Sequence, residues 1–349
     1  MNEIFAYRLK NARIIAGLSM EALADLVGVT KQMISKYENG KSVPDSTHLI
    51  KLSGALNQKV DYFFRPAEVE LPEVSFRKKY ALKGKRLKTL KGLIHIQTEN
   101  YLSIESFLSI DSEFENPISA IEINAFSDIE KAAEQLREKW NLGNDPISNV
   151  ISLLESKKIK VIEIEEENKF DGLSVLIDNK YPVIVINKSF PVERKRFTLL
   201  HELGHLLLNI NERFSDKDEE MFCNRFAGAL LLPEEAVYEN FGTDRKNISF
   251  PELKNIQELY GISIRAIMYR LKDLVVISAG MHKGFSIRLN SDSLLKNEVD
   301  EVRFTEQENT GRYNRLVYQA LSKELISLSK ASSLLGVAVN KVKEEFALI

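Results

Sequence analysis

Apolar residues recur every three to four positions through most of this chain, which predicts a largely helical protein. Helices are expected at 3–15, 18–27, 31–39, 46–55 and 59–64, and one long helix runs through Leu90, Ile94 and Tyr101 to Phe107. Further helices are expected at 128–140, 146–154, around 191–208, from 220 to a stop at Pro233, at 263–273 and at 306–325. The rhythm changes at Lys160-Val161-Ile162-Glu163-Ile164, which alternates like a strand. Two more strands are expected at 172–178 and 183–187, joined by the turn Asn179-Lys180-Tyr181-Pro182, and shorter ones at 275–278 and 284–289.

Inside the apolar helix around 200 stands His201-Glu202-Leu203-Gly204-His205. Residues four apart share a helix face, so His201 and His205 can aim ring nitrogens at one metal ion. Glu202 is rotated off that axis, which suits a general base more than a third ligand. The spacing matches the zinc-binding sequence of metallopeptidases. Pro191 suits the first turn with Ser189 as N-cap, and Gly204 leaves room for a neighbouring element. A catalytic metal usually takes three protein ligands, so another donor is expected downstream. Glu220 is the choice, although Glu219 and Glu220 also fit a solvated pair at a helix N-terminus.

Here the chain resembles the ImmA/IrrE family of metallopeptidases over about residues 130–240. The residues that carry the likeness are Val183-Ile184-Val185-Ile186-Asn187, Arg196-Phe197-Thr198, the motif helix, Glu220 to Ala227, and Leu230-Leu231-Leu232-Pro233. The resemblance implies a zincin-like endopeptidase of gluzincin type, with Glu220 preferred over Glu219 and Asn224 orienting a ligand or satisfying the helix. Zinc is the implied metal, with manganese as the alternative for two imidazoles and a carboxylate. Cys223 stands where the family more often has alanine, and reads as a small buried hydrophobe or as a stray ligand and oxidation target. The predicted hairpin would lie on the motif helix and offer a strand edge to an extended peptide. Tyr181 and His282 read as plain surface or core residues, with oxyanion stabilisation by either as the alternative.

The first seventy residues hold a second pattern. Helix, tight turn Gly28-Val29-Thr30, and a second helix ending at Gly40 have helix-turn-helix spacing, with Ala24, Val29 and Ile34 where the helices must pack. The stretch resembles the XRE-type repressor domain. Gln32 is then expected at a base edge, and Lys31, Ser35, Lys36, Asn39 and Lys41 at bases or phosphates of an operator. Loss of DNA binding in favour of protein docking is the other reading, because acids nearly balance bases here. Arg77, Lys78, Lys79, Lys83, Lys85, Arg86, Lys88 and Lys91 form a basic run that reads as the solvated face of the long linking helix, or as a grip on phosphates. That helix could pair with its copy in the homodimer that two-fold operator binding would require. Residues 326–346 repeat a helix-turn-helix-like pattern and read as a packing or partner-binding element.

At 349 residues, with 44% hydrophobic and 28% charged positions and a net charge of −2, the chain has material for two or three domains. One cysteine excludes an intrachain disulfide framework. No membrane span and no secretory signal are expected, which places the protein in the cytoplasm. The expected architecture is multidomain α+β. An all-α helix-turn-helix domain (1–70) precedes a basic linking region (71–127), a zincin-like domain of small sheet plus motif helix (128–242) and a mostly helical C-terminal region (243–349). The expected function is a DNA-binding transcriptional regulator fused to a zinc-dependent endopeptidase that cleaves a repressor, an antitoxin-like partner or itself. The resemblance sets such proteins in mobile-element, stress-response and toxin–antitoxin circuits. The alternative is a non-proteolytic repressor or antitoxin whose metallopeptidase fold is a sensor or scaffold.

Overall fold

The computed structural model describes residues 2–64, 84–165 and 170–346. The chain divides into two compact units, Met1–Ser112 with Gly311–Ile349, and Glu113–Thr310. These units cut across the expected segments. Residues 243–310 belong with the motif helix and residues 311–346 with the N-terminal module.

The first unit begins with α1 (Asn2–Ile15), α2 (Met20–Val27), α3 (Lys31–Glu38), α4 (Ser46–Ala55) and a 3-10 turn at Val60–Phe64. Phe5, Leu9, Leu23, Ile34, Leu52 and Phe63 form its core, each at 0% exposure. Capping sets the turn between α2 and α3. Ser19 and Thr30 accept the amides of Ala22 and Met33, and Gly28 ends α2 in the left-handed conformation (φ 79°), where a Cβ would be strained. The long helix α5 (Lys85–Phe107) packs on α1, with Arg8 and Glu99 paired at 2.5 Å in a buried contact. Of the basic run, Arg77, Lys78, Lys79 and Lys83 lie outside the described residues; Lys85, Arg86, Lys88 and Lys91 are on α5.

The second unit contains β1 (Glu122–Ile123), α6 (Phe126–Lys139), α7 (Val150–Ser156), β2 (Lys160–Ile164), β3 (Gly172–Ile177), β4 (Tyr181–Asn187) and the motif helix α8 (Val192–Leu207). It continues through β5 (Asn209–Ile210), α9 (Asp216–Leu231), α10 (Glu234–Phe241), α11 (Phe250–Tyr260), α12 (Ile264–Asp273), α13 (Ala279–Ser291) and α14 (Ser293–Val299). Three strands form a sheet in the order β2-β4-β3, with β2 parallel and β3 antiparallel to β4. Central β4 is a continuous apolar run because both of its faces are covered, whereas β3 is an edge. Helix α8 packs on β3 and β4, α9 packs along α8, and α6 packs on α9. A short parallel ladder of β1 and β5 follows the end of α8.

The Arg196 lead-in to the motif helix is structural. Its guanidinium is 0% exposed, pairs with Glu308 at 2.5 Å, donates to the carbonyls of Ile147 and Tyr260, and lies over the Phe304 ring. Glu308 also accepts the amides of Val150 and Ile151 at 2.9 Å, so residues 301–310 are tied to the back of α8 and the start of α7. Charge and hydrogen bonds are matched on both sides of this pair, as burial of ions demands.

Several boundaries differ from expectation. Pro191 rather than Ser189 precedes α8, and α7 starts at Val150 because Asn149 caps it. Helix α9 starts at Asp216, a turn before Glu220, through a capping box between Ser215 and Asp218. The strands expected at 275–278 and 284–289 do not form. Residues 275–278 are a loop, with Val275 at φ 60°, and 284–289 lie inside α13, where Phe285 and Leu289 bury one helical face. Alternation there is compatible with helical spacing, and the Ser278 cap decides for helix. The helix expected at 306–325 covers only α15 (Arg312–Ser322), which with α16 (Leu328–Leu335) and α17 (Val339–Phe346) completes the first unit. No helix among the described residues is long and apolar enough to cross a membrane.

Candidate functional site

Gly204 sets the distance between α8 and α9. A Cβ there would meet Cα, Cβ and Sγ of Cys223 at 3.2 Å, so the two helices approach closely only because residue 204 has none. That contact brings His201 and His205, one turn apart on α8, against the second turn of α9. His201 Nε2 and His205 Nε2 are 3.1 Å apart; Glu220 places Oε2 at 3.1 Å from the first and Oε1 at 3.6 Å from the second. One ligand atom from each of the three residues lies within 4.8 Å of the others. Zinc bonds near 2.0–2.1 Å in a tetrahedral shell need donors about 3.3 Å apart, so the donor set and its spacing fit that ion.

The outer ring nitrogens have partners of their own. His201 Nδ1 is 3.0 Å from Asn224 Oδ1, and His205 Nδ1 is 3.0 Å from Glu219 Oε1. Each contact favours a proton on Nδ1 and leaves Nε2 as the donor toward the shared point. Glu219 and Glu220, alternatives in the sequence, therefore take different places: Glu220 faces the inner nitrogens and Glu219 the outer one. Cys223 is fully buried with its Sγ 3.1 Å from His205 Nδ1, on the outer side as well.

Glu202 is 5% exposed and turns toward the sheet. Its Oε2 accepts a hydrogen bond of 2.8 Å from Ser174 Oγ on edge strand β3. Gly172, two residues earlier, lies so close that a Cβ would meet Thr198 Cγ2 at 2.8 Å and Glu202 Cγ at 3.3 Å. Ser174 and Gly172 carry no signal in the sequence, because only the β3–β4 register and the packing of α8 against β3 bring them to Glu202. The other two candidates stand elsewhere. Tyr181 pairs with Ile177 at the turn end of the hairpin. His282 lies on α13 with its ring 4.4 Å from that of Tyr269, and burial together with Lys272 holds it below its ordinary pKa.

On α3, Lys31, Gln32 and Lys36 are exposed, as are Asn39 and Lys41 just beyond it, and Ser35 is half-buried. Asn39 donates to the carbonyl of Ser35, which secures the end of the helix, and Lys31 lies 3.7 Å from Glu21. Ile34 and Tyr37 hold the opposite face in the core. The helix thus presents a polar face suited to the width of a major groove.

Comparison with known proteins agrees with both halves. The model of the IrrE N-terminal-like domain matches residues 154–272, and a helix-turn-helix model matches residues 9–63. A prophage-derived, uncharacterized HTH-type transcriptional regulator, YonR, of Bacillus subtilis is 38% identical over 73 residues, 20% of this chain and 68% of the relative. The radiation response metalloprotease IrrE of Deinococcus radiodurans is 38% identical over 74 residues, 18% of this chain and 23% of the relative. Its counterpart in Deinococcus deserti is 39% identical over 72 residues, 17% and 26% of the two chains. The matches thus span about a quarter of either Deinococcus protein. Matched at its N-terminal reader and again around the histidine helix, this chain belongs to the XRE-type helix-turn-helix regulators and carries an IrrE-like metallopeptidase domain fused to that reader.

Proposed function

We propose that this regulator is also a zinc-dependent endopeptidase, acting in the cytoplasm on a repressor- or antitoxin-like protein while α3 holds operator DNA. The observation that carries the enzymatic half is the convergence of His201, His205 and Glu220 on one point, with Glu202 buried beside it. A zinc ion held there would supply Lewis acidity and an acidified water as nucleophile. The chain's own groups do the rest. Glu202, fixed by Ser174, takes the proton from the attacking water and passes it to the leaving amine. Among the described residues β3 is an outer strand of its sheet, and its backbone would pair with an extended substrate next to that carboxylate.

Metal content by elemental mass spectrometry on the purified full chain tests the site. About one equivalent of zinc or manganese is expected in the wild type, with a clear reduction in Glu220→Gln. Absence of metal after reconstitution would turn the reading to a regulator that uses the peptidase fold as a scaffold.

A further inference from the structure

The C-terminal helices repeat the N-terminal reader in register. Ser327, Gly336 and Val342 each stand 308 positions after Ser19, Gly28 and Ile34. Both serines are N-caps, accepting the amides of Ala22 at 3.0 Å and Lys330 at 3.2 Å. Both glycines are left-handed, at φ 79° and 67°, and return their amides to Ala24 and Ser332. The following valines bond the same two carbonyls, at 3.0 Å for Val29 and 3.1 Å for Val337. Packing follows the same register: Leu23 and Ala331 are fully buried, Ala24 and Ser332 nearly so, and Ile34 and Val342 fully. A shared cap, a shared left-handed turn and a shared buried set define a helix-turn-helix, not merely two adjacent helices.

An exposed polar face on its second helix separates this module from a mere packing element. Residues 19–36 carry two acids and two bases and the matching residues 327–344 three bases and one acid, while α17 itself balances Lys341 and Lys343 with Glu344 and Glu345. On α17, exposed Asn340 occupies the place of Gln32, exposed Lys343 that of Ser35, and Glu344 that of Lys36. Asparagine pairs with an adenine edge, lysine with phosphate or guanine, and glutamate accepts from the cytosine amine, so the set is a competent reader of bases. The two modules share one support. Helix α5 meets α1 near Gly92, and its Tyr101 and Ile104 enter a core with Leu316, Val317 and Ala320 of α15. Lys59 Nζ donates to Ser332 Oγ at 2.6 Å, joining the modules directly.

We infer that α17 is a second DNA-reading helix, so that one chain grips duplex DNA through two helix-turn-helix modules. This goes beyond the assignment of α3, and two-site binding then requires no second copy of the chain.

The test is fluorescence anisotropy of the full chain with a labelled mixed-sequence duplex several helical turns long, titrated across salt concentrations. Asn340→Ala/Lys343→Glu is expected to bind roughly tenfold more weakly and to shed about 0.9 of log–log salt slope for each phosphate it no longer neutralises. Unchanged affinity and slope overturn the inference, which is also the result if α17 serves a protein partner. Lys31→Glu/Lys36→Glu, run in parallel, reports on α3 alone and keeps the two assignments separable. Asn340→Ala by itself preserves the charge at an exposed position. Selection from a randomised duplex library should enrich two motifs with wild type and one with this variant; identical enrichment overturns the inference too.

Discussion

Where α8 meets α9, two imidazoles and a carboxylate from different helices turn their polar atoms toward one point. On α3, Lys31, Gln32 and Lys36 turn theirs outward to water. Convergence of that kind needs support behind it, because partly buried polar groups are costly unless bonded. Here Asn224, Glu219 and Ser174 stand behind His201, His205 and Glu202. The reader needs no such backing. Its outward side chains keep their water until a charged partner displaces it, so its residues can be exchanged one at a time with little effect on the fold.

That contrast breaks most sharply at Glu202. Glu202→Gln keeps the shape and the Ser174 contact but removes the proposed base, so under the proposed mechanism hydrolysis of a cleavable partner or peptide should fall on the order of a thousandfold with metal content unchanged. Persistent cleavage in this variant would sink the mechanism. DNA affinity measured on the same protein should not move.

Gly204→Ala comes next. The new Cβ must displace Cys223, whose α9 backbone lies at 3.2 Å, so the histidines and Glu220 are pushed out of register. Overpacking of a tight core contact costs about 1–3 kcal/mol. A lower melting temperature together with weaker zinc retention is expected in a competition with a chelator; a change in neither would show that α9 yields freely. Ser174→Ala is milder. It leaves the proposed metal ligands untouched and loosens only the proposed base, so kcat should drop about tenfold with KM unchanged, and Ser174→Thr should recover part of the loss. A rise in KM alone would assign Ser174 to substrate binding.

The helix-turn-helix and the motif helix were legible because their chemistry is written in short spacings: Gly28 between two apolar patterns, and His201 four residues before His205. So was the hairpin, whose strands fall within a residue or two of expectation. Ser174 was not, since nothing in its neighbours in sequence encodes a contact made 28 residues away across a sheet and a helix. The C-terminal strands failed for a different reason. Phe285 and Leu289 satisfy both alternation and helical spacing, and only the Ser278 cap and the burial of one face choose between them. The return of residues 311–346 to the first unit depends on Tyr101 and Ile104 of α5, a pairing over more than two hundred positions.

The smallest effect lies at Glu130 of α6, which ties α9 to α12 through Arg225 and Arg270. Burial works to raise the Glu130 carboxyl, but the guanidinium groups of Arg270 and Arg225 overcome it and hold the carboxyl below the usual range. A carboxyl lowered in the folded state contributes stability that is fully present above its unfolded pKa and is lost as pH falls through the folded one. The second unit should therefore hold its melting temperature from neutral pH down to about 4.5, the ordinary glutamate value, and lose it below. Each pH unit across that window removes at most about 1.4 kcal/mol through this group, a few degrees for a unit of this size. Glu130→Gln should lower the melting temperature at pH 7 and flatten its acid limb, because the group that titrates is gone while both arginines remain. An acid limb as steep as that of the wild type would place the sensitivity in other carboxylates and leave the α9–α12 tie uncharged in its contribution.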